Sequence, residues 1–227
     1  MLRAVIFDFN GIIVDDEPIH FELFQRVLDE EGINLTEQDY YSRYLGFDDR
    51  GAFSTAYQEH GRALSQSKLA QLIERKAAYY REDIKSKMRV FPGVLTLIPE
   101  LAQELPLAIA SGALRNEIEM ILSGIGLLTY FRAIVSAEDV IRGKPEPEIF
   151  LKALAQLNAA LKNDQPVSPA ECLVIEDSKE GIRGARRAGM KCLAVTNSHP
   201  AELLNEADRI VGSLAGTGRR QLEAILS

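Results

Sequence analysis

Near its beginning the chain reads Ala4-Val5-Ile6-Phe7-Asp8-Phe9-Asn10-Gly11, a short apolar run followed by a carboxylate and an Asn-Gly turn. A continuous apolar run is typical of a strand that is buried on both faces, as in a parallel sheet. Open α/β sheets bind their ligands at the carboxyl ends of such strands. The stretch therefore predicts a parallel sheet with Asp8 at its functional edge. A turn that Asp8 merely closes is the alternative.

The composition indicates a globular protein with room for one domain and an inserted second one. The chain has 227 residues, of which 46% are hydrophobic and 26% are charged. Its net charge of −7 argues against a nucleic-acid partner. We expect no membrane partner, because no apolar run approaches the length of a membrane span, and no leader segment, because the N-terminus lacks a charged stretch followed by an apolar one. Cys172 and Cys192 lie in apolar stretches, which favours buried thiols and a cytoplasmic protein.

A block without strand patterns follows the first strand. The acidic residues and the proline of Asp15-Asp16-Glu17-Pro18 are typical of a helix start. Further helices are predicted over residues 36–45, 48–60 and 65–85. We therefore expect an all-helical domain, residues 15–87, inserted into a core made of residues 1–14 and 88–227.

Strands and helices alternate after residue 91. Strands are predicted over residues 107–110, 133–135, 172–175, 191–196 and 207–211, with helices between them. Strands separated by helices are joined by right-handed crossovers into a parallel sheet, which helices cover on both faces. The predicted fold class is α/β, with a Rossmann-like three-layer α/β/α core around a mainly parallel sheet and the inserted all-helical domain.

Polar groups follow several of these strands or lie in the adjoining loops, namely Asp8, Ser111, Lys144 and the pair Glu176-Asp177. They can converge, because the carboxyl ends of parallel strands share one edge. Carboxylates suit Mg²⁺, amides at the start of a helix can bind an anion, and a lysine attracts phosphate oxygens. The set predicts phosphoryl transfer. Each residue alone also has a structural explanation, as a helix cap or as a solvent-exposed lysine.

The chain resembles the haloacid dehalogenase superfamily of hydrolases, in the branch with a helical cap after the first strand. That branch includes β-phosphoglucomutase-like and phosphoglycolate phosphatase-like enzymes. The motifs occur in the family's order, as Asp8-Phe9-Asn10-Gly11, Ser111-Gly112, Lys144-Pro145 and Glu176-Asp177-Ser178. The resemblance covers essentially the whole chain and implies a hydrolase of small phosphate monoesters.

The resemblance also implies roles for these residues. Asp8 would be the nucleophile and would form an aspartyl-phosphate. Asp8, Asp177 and the backbone carbonyl of Asn10 would bind Mg²⁺, with Glu176 acting through water. The residues that would hold the phosphoryl group are Ser111, Gly112 and Lys144.

Position 10 departs from the family pattern, because Asn10 stands where phosphatases and phosphomutases usually have a second aspartate as the acid and base. An amide cannot shuttle a proton as a carboxyl group does. Since acid–base catalysis typically contributes ~10²–10⁴-fold, we expect a slowed phosphatase. The alternatives are compensation by Asp15, Asp16 or His20, an engineered acid/base-deficient variant, and a phosphometabolite-binding protein with little turnover.

Two residues of the helical block are candidates for substrate contact. The stretch Leu45-Gly46-Phe47-Asp48-Asp49-Arg50 resembles the cap loop that faces the substrate in sugar-phosphate relatives. Arg50 could pair with a substrate carboxylate or a second phosphate, or it could be a surface arginine paired with a neighbouring acid. His20 could reach the site from the first helix of the block, or it could be a histidine on the polar face of that helix. We expect a sugar phosphate or a phosphoglycolate-like substrate, and a monomer or weak homodimer.

Overall fold

The chain forms two units, Met1–Asp15 with Arg89–Ser227, here the core unit, and Asp16–Met88, here the helical unit. The computed structural model describes residues 1–44, 47, 49–87, 89–161 and 165–226. The division falls one residue after the predicted boundaries. It includes Asp15 in the core unit because Asp15 pairs with Arg89 in a short antiparallel ladder. No described helix is both long and apolar enough to span a membrane.

Eight strands belong to the described part of the core unit. In chain order they are β1 (Ala4–Phe7), β2 (Val14–Asp15), β3 (Arg89–Val90), β4 (Leu107–Ala110), β5 (Phe131–Val135), β6 (Cys172–Glu176), β7 (Lys191–Val195) and β8 (Arg209–Val211). Six of them form one sheet in the order β5-β4-β1-β6-β7-β8, and every neighbouring pair is parallel. The other two, β2 and β3, pair with each other.

Helices of both units complete the described elements. The helical unit contains α1 (Glu17–Glu30), α2 (Glu37–Asp39), α3 (Asp49–Glu59) and α4 (Gln66–Lys87), with a π-helical turn at Tyr40–Tyr44. The core unit contains α5 (Val94–Ala102), α6 (Arg115–Gly124), α7 (Glu148–Leu161), α8 (Lys179–Arg187) and α9 (Arg219–Glu223). Short 3₁₀ turns lie at Leu128–Tyr130, Ala137–Asp139, Pro169–Glu171 and Ala201–Leu203.

The position of β1 in the middle of the sheet decides where the functional groups lie. All four of its residues are fully buried, as the continuous apolar run predicts. Phe7 aligns with Ile109 of β4 on one side and with Ile175 of β6 on the other. The residues after these three strands therefore meet at one edge. The predicted α/β fold with a mainly parallel sheet is confirmed.

Several elements differ from the sequence prediction. The helix α5 was not predicted, although Val94, Leu97, Ile98 and Leu101 have helical spacing and are buried. The ladder of β2 and β3 was missed because two-residue strands show no periodicity. The helical stretch predicted over residues 36–45 is present from Glu37 to Tyr44, but only three residues are α-helical and the rest form the π-helical turn. Residues 45, 46 and 48 of the predicted cap loop lie outside the described residues.

A buried ionic network connects α1, α3 and α4 within the helical unit. Lys76 is only 2% exposed, and its Nζ donates to Asp49 Oδ1 at 2.6 Å. The same Nζ lies 2.8 Å from His20 Nδ1, and His20 Nε2 lies 3.2 Å from Asp16 Oδ2. Because an ammonium group cannot accept a hydrogen bond, Nδ1 is the acceptor and Nε2–H points to Asp16. The Tyr80 hydroxyl donates to the same carboxylate oxygen at 3.0 Å.

Removing the charge of Lys76 should destabilise the helical unit. We expect Lys76→Met to lower the free energy of unfolding by about 2–4 kcal/mol, because Asp49 and His20 lose a buried partner. Lys68→Met is the matched control, since Lys68 on the same helix pairs with Glu31 in a more exposed position. Its cost should stay below about 1 kcal/mol. Urea unfolding followed by circular dichroism measures both variants, and equal costs would contradict the prediction.

Candidate active site

Four charged side chains meet at the carboxyl edge of the sheet. Lys144 Nζ donates to Asp8 Oδ1 and to Glu176 Oε1, at 2.6 Å in each case. One carboxylate oxygen each of Asp8, Glu176 and Asp177 lies within 4.8 Å of the others. The three carboxylates are buried, with exposures of 8%, 0% and 5%. Residues that are far apart in the sequence are thus in contact, as the strand-end rule predicts.

Lys144 reaches this cluster from the loop between β5 and α7. Glu148, the first residue of α7, accepts hydrogen bonds from the backbone N–H groups of Ile141 and Arg142 at 3.0 and 3.1 Å, which orders the loop. The Lys144 side chain is only 14% exposed, so the alternative of a solvent-exposed lysine is excluded. Burial lowers its pKa, but the charges of Asp8 and Glu176 outweigh burial and hold that pKa above its ordinary value. Lys144 therefore stays protonated.

The Glu176 carboxylate is enclosed by the start of α8. Its Oε2 accepts from the backbone N–H groups of Asp177 and Ser178 at 3.0 Å and from Ser178 Oγ at 2.9 Å. A Cβ at Gly181 would lie 1.8 Å from Glu176 Oε1, so only glycine fits there. Ser178 is the N-cap of α8 and accepts from Gly181 N at 3.1 Å. Both carboxylate oxygens of Glu176 are therefore bound, one to Lys144 and one to the helix start.

The electrostatics of the cluster favour a cation. The pKa of Asp8 is raised to about 6, because burial, together with the Glu176 charge, outweighs the opposing effect of Lys144. Burial and the charges of Glu176 and Asp8 hold the pKa of Asp177 well above its usual range. One lysine thus faces three carboxylates, which leaves an excess of negative charge when they are ionised. Their oxygens are hard ligands. This donor set fits Mg²⁺.

The loop after β1 approaches Asp177 closely. Gly11 has φ +76°, and a Cβ there would lie 1.8 Å from Asp177 Oδ2, so both conformation and space require glycine. Asn197 Nδ2 donates to the Gly11 carbonyl at 2.7 Å, and Ser198 Oγ donates to Asp177 Oδ2. Asn10 is half-buried in this loop. Sequence reasoning missed Asn197 and Ser198, although they follow β7 at the same edge as the predicted residues.

Ser111 and Gly112 follow β4 next to this cluster. Because Phe7 aligns with Ile109, Ser111 lies one residue beyond the level of Asp8. Ser111 is buried, and its Oγ accepts from Ala113 N at 3.1 Å. It does not cap α6, whose N-cap is Leu114. Within the described ranges, no hydrogen bond joins Ser111 or Gly112 to the four charged side chains.

The two candidates in the helical block lie within the helical unit. His20 belongs to the Lys76 network and stacks on Tyr80. Arg50 is exposed on α3, and its Nη1 donates to Gln66 Oε1 at 3.3 Å. Among the described residues, Arg50 therefore pairs with an amide and not with the neighbouring acid that was the alternative.

Comparison with known proteins identifies the family. A family profile described as haloacid dehalogenase-like hydrolase matches residues 5–195. The chain is a haloacid dehalogenase-like hydrolase. This hydrolase is 30% identical over 216 residues to the validoxylamine A 7'-phosphate phosphatase of Streptomyces hygroscopicus. The aligned residues make up 94% of this chain and 95% of the relative. It is 32% identical over 193 residues to the phosphorylated carbohydrates phosphatase of Thermotoga maritima, with coverages of 84% and 83%.

A solved structure supports the same assignment at the level of the fold. The β-phosphoglucomutase of Clostridium difficile superposes on the hydrolase with a TM-score of 0.81 and 23% identity, over 100% of this chain and 97% of that chain. The predicted family is confirmed, and so is the expectation of an enzyme of the phosphatase class.

A methyl group at position 181 should disrupt the charged cluster. We expect Gly181→Ala to lower the free energy of unfolding of the hydrolase by about 1–3 kcal/mol, because the added Cβ displaces Glu176. Gly124→Ala is the matched control in α6, where a Cβ meets nothing within 4 Å. It should stabilise the protein by up to about 1 kcal/mol through helix propensity. Urea unfolding gives both values, and effects of the same sign would count against the geometry.

The contribution of Asp8 to the stability of the metal-free hydrolase should fall as the pH rises from about 4 to about 6. Burial raises the pKa of Asp8 from 3.8 to about 6, so in this window the folded state binds more protons than the unfolded state. The Asp8 contribution to the free energy of unfolding therefore falls with increasing pH, by up to about 3 kcal/mol.

Urea unfolding of EDTA-treated protein across this pH range tests the expectation. The Asp8→Asn variant is the control, because it has every carboxyl group of the wild type except that of Asp8. The difference between the two proteins isolates Asp8 and its coupling to Asp177. Stability curves that run parallel for the two proteins would show that Asp8 does not titrate in this way.

Proposed function

We propose that this chain is a Mg²⁺-dependent phosphohydrolase that cleaves small phosphate monoesters through an aspartyl-phosphate on Asp8. The observation that carries the proposal is the placement of Lys144, 2.6 Å from both Asp8 and Glu176, beside the buried carboxylate of Asp177. A fixed cation and a cluster of carboxylates at a sheet edge supply the positioning and charge neutralisation that phosphoryl transfer requires.

Each residue of the cluster has a distinct role in this proposal. A carboxylate oxygen of Asp8 attacks phosphorus, the bond to the ester oxygen breaks, and water later attacks the aspartyl-phosphate to release phosphate. Lys144 holds the Asp8 carboxylate and attracts the phosphoryl oxygens. Ser111 and Gly112 contribute a hydroxyl and backbone amides to the same phosphoryl group.

The carboxylate cluster also accounts for the proposed metal. Asp8, Asp177 and the backbone carbonyl of Asn10 would hold Mg²⁺, with Glu176 outside direct contact because both of its oxygens are already bound. When bound, the ion neutralises negative charge on the carboxylates and the phosphoryl group.

Asn10 is the reason to expect slow turnover. The leaving oxygen must gain a proton and the attacking water must lose one. An amide can neither give the first proton nor take up the second. Among the compensating candidates, Asp16 is 2% exposed and bound to His20 and Tyr80 inside the helical unit, which argues against it as a proton donor. An engineered origin of Asn10 and a phosphometabolite-binding protein with little turnover remain the alternatives, and both rest on this residue.

The substrate class follows from the relatives. The Thermotoga maritima relative is named for phosphorylated carbohydrates, which supports a sugar phosphate or a similar small acid phosphate as the substrate here. His20 and Arg50 stay weak candidates for substrate contact. We further infer a cytoplasmic protein, since the buried Cys172 and Cys192 are free thiols. A monomer or weak homodimer stays a prediction.

A carboxyl group at position 10 should increase the rate of phosphate release. We expect Asn10→Asp to raise kcat for Mg²⁺-dependent phosphate release by ~10²–10⁴-fold on alkyl phosphates, and by less on an aryl phosphate with a good leaving group. Phosphate release is measured on a panel of sugar and small-acid phosphates, with and without EDTA. Asp8→Asn in the Asn10→Asp background should abolish the gain.

The outcomes separate the candidate functions. A large gain supports an enzyme that lacks only its acid and base. Equal activity of the two proteins would mean that another residue moves the proton, which would contradict the role given to position 10. Tight phosphate binding without turnover in either protein would favour the binding function.

A further inference from the structure

Two residues after β7 contact the candidate metal ligands without belonging to the predicted site. The strand β7 pairs with β6, and Ala194 aligns with Glu176. Asn197 and Ser198 therefore lie just beyond the level of Asp177, at the carboxyl edge of the sheet. Each of them makes a hydrogen bond to a different part of the proposed metal site.

Asn197 fixes the loop that carries the Asn10 carbonyl. The peptide before Gly11 is held by its N–H, which donates to the Val14 carbonyl at 2.9 Å. The peptide after Gly11 is held by its carbonyl, which accepts from Asn197 Nδ2 at 2.7 Å. The Asn10 carbonyl belongs to the first of these two peptides, so its direction is set when the peptides on both sides of Gly11 are held. Asn197 supplies one of the two restraints from the far end of the sequence.

Ser198 fixes the orientation of the Asp177 carboxylate. Its hydroxyl donates to Oδ2, and Asp177 Oδ1 has no hydrogen bond within the part of the chain that the structure describes. The carboxylate thus keeps one oxygen for a cation and one for Ser198. The absence of a side chain at Gly11 makes room for this contact, since a Cβ there would lie 2.8 Å from Ser198 Oγ.

We propose that Asn197 and Ser198 are positioning residues of the metal site, Asn197 acting through the Gly11 peptide and Ser198 through the Asp177 carboxylate. The inference rests on the proposed function, because it presumes a divalent cation at Asp8 and Asp177. Partners that orient metal ligands typically contribute 10–100-fold to metal affinity. Neither residue would touch the substrate or the reacting atoms.

Metal binding to the substrate-free protein tests this inference without relying on turnover. Calorimetry with Mg²⁺ and electron paramagnetic resonance with Mn²⁺ as a probe give the dissociation constants. Asn197→Ala and Ser198→Ala should each raise the dissociation constant about 10–100-fold. Ser198→Thr keeps the hydroxyl and should stay within about threefold of the wild type, which a loss of packing would not explain.

Matched controls and stability measurements complete the design. Asn205→Ala and Ser123→Ala remove the same side chains at exposed positions and should leave metal affinity unchanged. The melting temperatures of the metal-free variants should match that of the wild type, because Ser198 is exposed and Asn197 is half-buried. If Asn197→Ala does not fold, Asn197→Ser gives the same test, since its shorter side chain cannot reach the Gly11 carbonyl.

The results distinguish the inference from the function on which it rests. Wild-type metal affinity in both alanine variants, in a protein that binds Mg²⁺ and releases phosphate, would overturn the positioning role alone. A wild-type protein that binds neither Mg²⁺ nor Mn²⁺ would overturn the proposed function itself.

Discussion

The contact of Lys144 with Asp8 and Glu176 is the interaction on which the candidate site depends. Three carboxylates with oxygens within 4.8 Å of one another repel each other, and burial removes the water that would screen them. One buried lysine at 2.6 Å from two of them offsets part of that repulsion. The start of α8 offsets more of it, because backbone N–H groups at a helix N-terminus stabilise the Glu176 carboxylate.

The scaffold holds this cluster through strand ends and two glycines. The parallel register places the residues after β1 and β6 at one level, and the loops after β4 and β7 lie beside them. Gly11 and Gly181 leave space where a side chain would collide with Asp177 and Glu176. The site is thus assembled from loops that are far apart in the sequence, and the sheet holds these loops next to one another.

Much of this arrangement could be predicted, and the reasons differ between residues. Asp8, Lys144, Glu176 and Asp177 were found because polar groups after apolar strands converge in a parallel sheet. Asn197 was not predicted, because its hydrogen bond to Gly11 spans almost the whole sequence and no local pattern encodes such a contact. The buried position of Lys76 is equally invisible, since a lysine within a charged helix ordinarily faces solvent. Short elements such as α9 and the β2–β3 ladder are too brief for periodicity to detect.

The central place of β1 has a consequence for how the molecule is made. During synthesis β1 is made well before its two neighbours in the sheet, β4 and β6, which begin only at Leu107 and Cys172. The helical unit is continuous in sequence, so all of it is synthesised before β1 meets either of its partners in the sheet. The nucleophile candidate Asp8 therefore gains its surroundings late. The appearance of the charged cluster marks the completion of the core and reports on the folding of nearly the entire chain.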